Sequence, residues 1–360
     1  MFNKKQIIFT TAKEGDIKEM YISIFEQLST LQNIIKITFF HLPDSNSNYI
    51  HNAEHLQSCV KESFGCDAPV VSYVAQKPFE SSLIAEVLIL NEEGVTIKRA
   101  QEYIILNKGN KREIVTAGIF CKNLNCSVKE QSENIFSRIN TIFDNEGFYI
   151  NDIYRQWNYI CDITGEQNAV QNYQEFNDAR SLFYSKAEWT NGYPAATGIG
   201  QSKGGIMVEV FAANGEGVNI PIDNPMQIAA HNYSQNVLAG NNSDKSTPKF
   251  ERARLFNDNI YISGTAAIKG EDSICSNDSV VQTATTMDIM DCLVSPANIA
   301  TKVNDSVYSA LRIYVKQEND IKAIKEFMEQ NYPAPQKIYL QCDICRSELL
   351  VEIEGAGYIL

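Results

Sequence analysis

One order of elements recurs three times along this chain, and self-similarity at a regular period constrains a fold more than any single segment does. The clearest copy is the last. Residues 256 to 360 read as a strand over Asn259–Gly264, a helix over Val280–Leu293, a strand over Val307–Lys316 and a helix over Asp320–Asn331. A turn at Tyr332-Pro333-Ala334-Pro335 then leads to strands at Lys337–Gln341 and Leu349–Ile353. β-Branched and aromatic enrichment marks the strands, and apolar residues three and four apart mark the helices.

Residues 112 to 215 repeat the order: strand Arg112–Phe120, helix Lys129–Phe143, strand Asp152–Ile163, helix Tyr173–Tyr184, the turn GYPAATGIGQ, and strand Ile206–Ala212. Pro194-Ala195 matches Pro333-Ala334, and Val208-Glu209-Val210 matches Val351-Glu352-Ile353. Residues 6 to 90 fit a third time, with strand Gln6–Thr10, helix Asp16–Gln32, strand Ile34–His41, helix Asn52–Phe64, then Ala68-Pro69. That copy closes with strand Leu83–Leu90, where Glu86 takes the place of Glu209 and Glu352. Hairpins over Glu93–Ile105 and Gln227–Leu255 join the copies, and AGNNSDKSTP in the second reads as a linker with no capacity to bury a core.

The pattern predicts an α+β fold of three diverged units, residues 1–95, 96–220 and 221–360. A chain of 360 residues also exceeds what one hydrophobic core normally organises. Two helices cover one face of each mixed sheet and leave the other face apolar. Three such faces can close on each other inside one molecule, so a monomer can form an intramolecular pseudo-trimer. No symmetry then keeps its three clefts equal, and the active site is expected between units two and three.

The composition, 44% hydrophobic and 21% charged, is that of a globular protein. A net charge of −13 argues against nucleic acid as a partner, because phosphate binding draws on clustered Lys and Arg. A small anionic substrate would need a local basic pocket. The first apolar run is too short for a signal-peptide core, and no later stretch is long enough to span a membrane. With nine cysteines, an odd number, reduced thiols and a cytoplasmic location are expected. Cys342 and Cys345 form a CxxC without a second pair at zinc spacing, since Cys121 and Cys126 stand alone, so neither metal nor other cofactor is expected. The histidines, His41, His51, His55 and His231, do not group with an acid and a serine.

Four segments, YRQWNYICDI, YQEFNDARSLFY, YPAATGIGQ and CDICRSELLVEIEG, together with AHNYSQNV before NIYISGTA, resemble the chorismatase family within the reactive-intermediate deaminase (RidA-like) superfamily. The resemblance runs from about residue 110 to the C-terminus. It implies three chorismate-mutase-like, RidA-like α+β units. It also implies cleavage of the enolpyruvyl ether of chorismate to pyruvate and a hydroxybenzoate or dihydroxycyclohexadienoate.

Such a reaction needs a proton on the vinyl-ether methylene carbon, and a glutamic acid on a buried strand suits that task. Glu352 matches the family's catalytic glutamate, while Glu354 shares its strand face. Two substrate carboxylates call for the planar fork of arginine. Arg180 follows Tyr173 by seven residues, close to two helical turns, and the matching pair lines the family's pocket. Arg312 and Arg155 are candidate second clamps, and Arg346 is a candidate turn cap. Cys345 resembles the position at which chorismatases carry a cysteine or an aliphatic residue, a choice tied to product, and the thiol points to hydroxybenzoate. Gly198 and Gly264 permit close backbone approach to a ligand.

The sequence also departs from these patterns. Deaminases of the superfamily place an arginine right after the Pro-Ala turn, where this chain has Ala196 and Pro335. A family histidine after the SGTA strand is replaced by Cys275. Two further readings therefore stand beside the hydrolase: an enamine or imine deaminase, and a protein that binds an aromatic carboxylate without turnover.

Overall fold

A computed structural model describes residues 5–167, 169–238, 245–274, 276–299 and 306–359. The first unit contains β1 (Lys5–Thr11), α1 (Ile17–Leu28), β2 (Ile34–His41), α2 (Asn46–Phe64), β3 (Val70–Val74) and β4 (Leu83–Leu90). The second contains β5 (Lys111–Thr116), α3 (Val128–Glu146), β6 (Ile153–Cys161), α4 (Asn172–Tyr184), β7 (Ala195–Gln201) and β8 (Ile206–Asn214). The third contains β9 (Asn259–Ala266), α5 (Ser279–Leu293), β10 (Ser306–Val315), α6 (Ile321–Asn331), β11 (Gln336–Gln341) and β12 (Val351–Ile359). In each, the four strands lie in the order first, fourth, second, third. The second and third run parallel and the other pairs antiparallel. A parallel pair needs a crossover, and the second helix of each unit supplies it.

Several local expectations change. GYPAATGIGQ is a turn only up to Pro194, because β7 takes up the rest on the parallel edge of β6. Glycine and alanine carry no strand signal of their own, so burial and pairing decide that segment. The sequence reading also omits the equivalent β3, VVSYV, although its β-branched residues do carry a strand signal. α2 starts at Asn46 rather than Asn52, because the Ser45 side chain caps the Asn48 amide ahead of the apolar face. α1 stops at Leu28. The first joining hairpin forms, Thr96–Arg99 on Tyr103–Lys108, but the second does not among the described residues. Its residues instead make short 3-10 turns at Ala230–Asn232 and Gln235–Val237 before a strand at Ala253–Phe256 pairs with β9. Within that segment, residues 239–244 lie outside the described ones.

Each unit packs its helices on its own sheet, and the opposite sheet faces meet in one shared core. Phe40 and Val74 come from the first unit, Tyr159 and Ile199 from the second, Tyr314 and Leu340 from the third. The three apolar faces thus cover each other without a partner chain.

A β-bulge at the same place in each central strand, between Ile34 and Lys36, Ile153 and Arg155, and Tyr308 and Ala310, fixes how the copies align. Glu86 then faces Thr38, Glu209 faces Trp157, and Glu354 faces Arg312. The third equivalent glutamate is therefore Glu354. The sequence reading chose Glu352 because alternate glutamates in VEIE offer the same pattern two residues apart, and for the same reason Pro335 rather than Pro333 matches Pro194. Each of these glutamates meets a cation of another unit. Lys36 lies 3.0 Å from Glu209, Arg155 pairs with Glu354, and Arg312 lies 2.6 Å from Glu86. The ion pairs run from unit one to two, two to three and three to one, so they bind the sheets together around the pseudo-threefold axis.

Candidate active site

The same register shows what Glu352 replaces. It faces Tyr314, as Met207 faces Tyr159 and Ile84 faces Phe40, so only the third unit puts an ionisable group at this position. The three clefts have diverged accordingly. Between units one and two a cavity of about 680 Å³ is lined by Met207, which lies over Gly118, and by Tyr73, which occupies the position that Gly198 holds between units two and three. Between units three and one, Ile84 is buried and the edge strand β11 is covered by Lys77–Pro78. Between units two and three a cavity of about 840 Å³ has Glu352 in its wall.

That cavity brings together Tyr173, Arg180, Gly198, Gly264, Cys345 and Glu352. The carboxyl of Glu352 is 4% exposed and sits directly on Gly264, where a Cβ would come within 2.0 Å of Oε1. Burial, reinforced by the charge of Glu354 and opposed by Arg155, pushes its pKa up to about 8. At neutral pH this carboxyl keeps its proton.

Opposite lies Arg180 on α4, 1% exposed. Its guanidinium donates to Asn177 Oδ1 at 2.6 Å and stands 5.5 Å from the Phe176 ring, while its Nε has no hydrogen-bond partner among the described residues. No carboxylate neutralises it among those residues. A buried cation without an anion is costly unless a ligand supplies one. Gly198 serves the same wall, because a Cβ there would meet the Tyr173 ring at 2.8 Å. Both glycines therefore make room for site side chains, which is how their close approach is used.

Cys345 reaches the cavity from the turn after β11, which Gly200 admits by donating its N–H to the Asp343 carbonyl at 2.9 Å. Burial first, then Glu352, pushes its thiol up to about 12, so it stays protonated. Arg346 also lines the cavity and donates to the Glu271 carbonyl and to Ser273 Oγ, both at 3.0 Å.

Two expected clamps are elsewhere. Arg155 and Arg312 line a separate central cavity and are committed to Glu354 and Glu86. Their strand positions point them at the shared core, where charge on one sheet must be matched by charge on the next. The four histidines do not line the open cavity, and Cys275 lies outside the described residues.

Sequence reasoning missed Arg252 and Tyr233, from the segment expected to be a hairpin. Arg252 is 4% exposed, lines the cavity, and donates to the Ile228 carbonyl at 2.5 Å and to Tyr233 Oη at 2.8 Å. Tyr233 lies between the guanidiniums of Arg252 and Arg346, at 5.4 and 5.6 Å from its ring centroid. No spacing announced this, because both residues sit in irregular backbone, where burial follows from tertiary packing alone.

Gly264→Ala is expected to keep the fold but displace the Glu352 carboxyl, lowering turnover about 10²-fold, as misplacing a reacting group by an ångström does. Thermal melting alongside steady-state rates checks it.

Comparison with known proteins places these features. Residues 96–212 match the model of the chorismatase FkbO/Hyg5-like N-terminal domain. A 3-hydroxybenzoate synthase from Streptomyces hygroscopicus is 29% identical over 226 residues, which cover 58% of this chain and 64% of that protein. A chorismatase from the same organism is 29% identical over 213 residues, covering 56% and 60%. The matched stretch thus spans less than two thirds of these relatives' own length. A chorismatase crystal structure superposes with a TM-score of 0.72 at 20% identity over 98% of both chains. Residues 96–212 are thus similar to the chorismatase FkbO/Hyg5-like N-terminal domain, and the chain as a whole shares its fold with the solved chorismatase.

Proposed function

We propose that this protein cleaves the enolpyruvyl ether of chorismate, releasing pyruvate, with Glu352 as the general acid. The observation that carries the reading is a carboxyl kept protonated near neutral pH across one cavity from buried arginines that lack acidic partners among the described residues. Arg180 and Arg252 supply forks for the two substrate carboxylates. Tyr173 and Tyr233 supply aromatic walls for the ring.

Glu352 passes its proton to the methylene carbon of the enolpyruvyl group, which leaves an oxocarbenium centre on the ether-bearing carbon. Water adds there and returns a proton to the Glu352 carboxylate. The hemiketal then collapses into pyruvate and the ring alcohol, so the acid is regenerated. When a hydroxybenzoate is the product, the ring also loses one water, and chorismate becomes hydroxybenzoate plus pyruvate with no net water consumed. The protonated Cys345 thiol beside Glu352 and the similarity to a 3-hydroxybenzoate synthase favour that product. A deaminase would need an arginine where Ala196 lines the cavity.

Incubation with chorismate and identification of the products by mass tests the reading. Pyruvate with hydroxybenzoate supports it, and intact chorismate contradicts it. A protonated Glu352 further requires that kcat/KM be high below about pH 8 and fall as pH rises through that value. A pH–rate profile measures this.

A further inference from the structure

We propose that Glu354 and Arg155, neither of which lines the open cavity, are positioning residues for the Glu352 carboxyl and act on it through Thr197 and Gly264. The inference rests on Glu352 as the proton donor and adds what holds that group in its working state. Glu354 stands two residues along β12, on the same face. Its Oε1 accepts from Trp157 Nε1 at 3.1 Å, Arg312 Nη1 at 2.9 Å and Tyr314 Oη at 2.8 Å. Its Oε2 accepts from Arg155 Nη2 and from Thr197 Oγ1.

Thr197 joins this cluster to the cavity wall. Its Oγ1 also accepts from Arg155 Nη2 at 2.9 Å and from the Gly264 N–H at 3.0 Å, so the glycine that seats Glu352 is tied to the buried ion pair. Moving the pair moves the seat.

The charges act as well. Burial opposes ionisation of Glu354, yet the Arg312 and Arg155 guanidiniums with the Thr197 and Tyr314 hydroxyls hold its carboxyl below the usual range. Tyr173 from α4 and Cys342 and Cys345 from the turn after β11 also face Glu352, and burial pushes each of them up, so they remain neutral. Arg180, Arg252 and Arg346 line the same cavity, and the charges that shift Glu352 are the anion of Glu354, which resists its ionisation, and the cation of Arg155, which favours it. The other two units contain the same kind of inter-unit pair at Glu86 and Glu209, beside Ile84 and Met207. Only the third unit couples this framework to an acid.

The test follows Glu352 itself, without substrate, by the infrared carbonyl stretch of its protonated carboxyl, taken as the difference from Glu352→Gln. Glu354→Gln is expected to move the midpoint down, and Arg155→Met to move it up, each by about one pH unit, with Arg155→Lys close to the wild type. The alkaline limb of turnover should move in the same directions. Midpoints that stay put, or move the same way in folded Glu354→Gln and Arg155→Met, overturn the proposal. If Glu354→Gln does not fold, Arg155→Met against Arg155→Lys decides, since equal midpoints in those two also overturn it. Because the titration needs no chorismate, absence of pyruvate release would count against the proposed reaction and leave this result readable.

Discussion

Glu352→Gln is expected to lower pyruvate release from chorismate by about 10²- to 10⁴-fold, the usual scale for loss of a general acid, while leaving the cavity shape intact. The same substitution should stabilise the fold at alkaline pH. Glu352 has a folded pKa of about 8 against an ordinary value of 4.5, so the native state binds the proton more tightly than the unfolded chain. The contribution is fully present below pH 4.5 and is lost as pH rises through 8. A neutral glutamine escapes that loss. Above pH 8 the variant should therefore exceed the wild type by a few kcal/mol, on the order expected for a shift of this size, and the difference should shrink towards acid pH. Calorimetric melting at several pH values, beside the pyruvate assay, measures both effects. An active-site role and a stability cost in one residue is what a functional strain predicts.

Arg180→Met should cost about 3 kcal/mol of substrate binding, roughly 10²-fold in kcat/KM, from loss of a charge-assisted contact to a substrate carboxylate. Most of this should appear in KM. Its stability effect should have the opposite sign from that of most buried substitutions. Arg180 is 1% exposed, its Nε is unsatisfied and it has no carboxylate partner among the described residues, so an apolar side chain of similar length relieves a desolvation cost. A rise of a few degrees in Tm with a fall in kcat/KM is the expected pair of results, read by thermal melting and initial rates. A fall in Tm with unchanged kinetics would mean that Arg180 is a structural residue.

The repeat was legible because each copy carries its own periodic signal. Helix order came through in all three units, as did every strand but β3 and β7 and the closure of the apolar faces. What failed was register. VEIE places two glutamates on one face, so sequence could not tell which one aligns with Glu86 and Glu209, and only the bulges at Lys36, Arg155 and Ala310 decide it. The correction matters chemically, because Glu352 is not the repeated glutamate but a third-unit replacement for Met207 and Ile84.

Arginines were harder still. Arg180 lay on a periodic helix beside a motif and was found, whereas Arg252 sits in irregular backbone and was not. Arg155 and Arg312 looked like substrate clamps because a buried strand arginine needs an anion, and a sequence does not show that Glu354 and Glu86 arrive from other sheets.

Carbon protonation by Glu352 can be tested directly by turning over chorismate in D₂O and analysing the pyruvate methyl group by mass and NMR. The account predicts one deuterium per methyl group in the wild-type product, formed at a rate that falls above about pD 8, and pyruvate no faster than background with Glu352→Gln. Pyruvate without deuterium, or equal release by the variant, would contradict it.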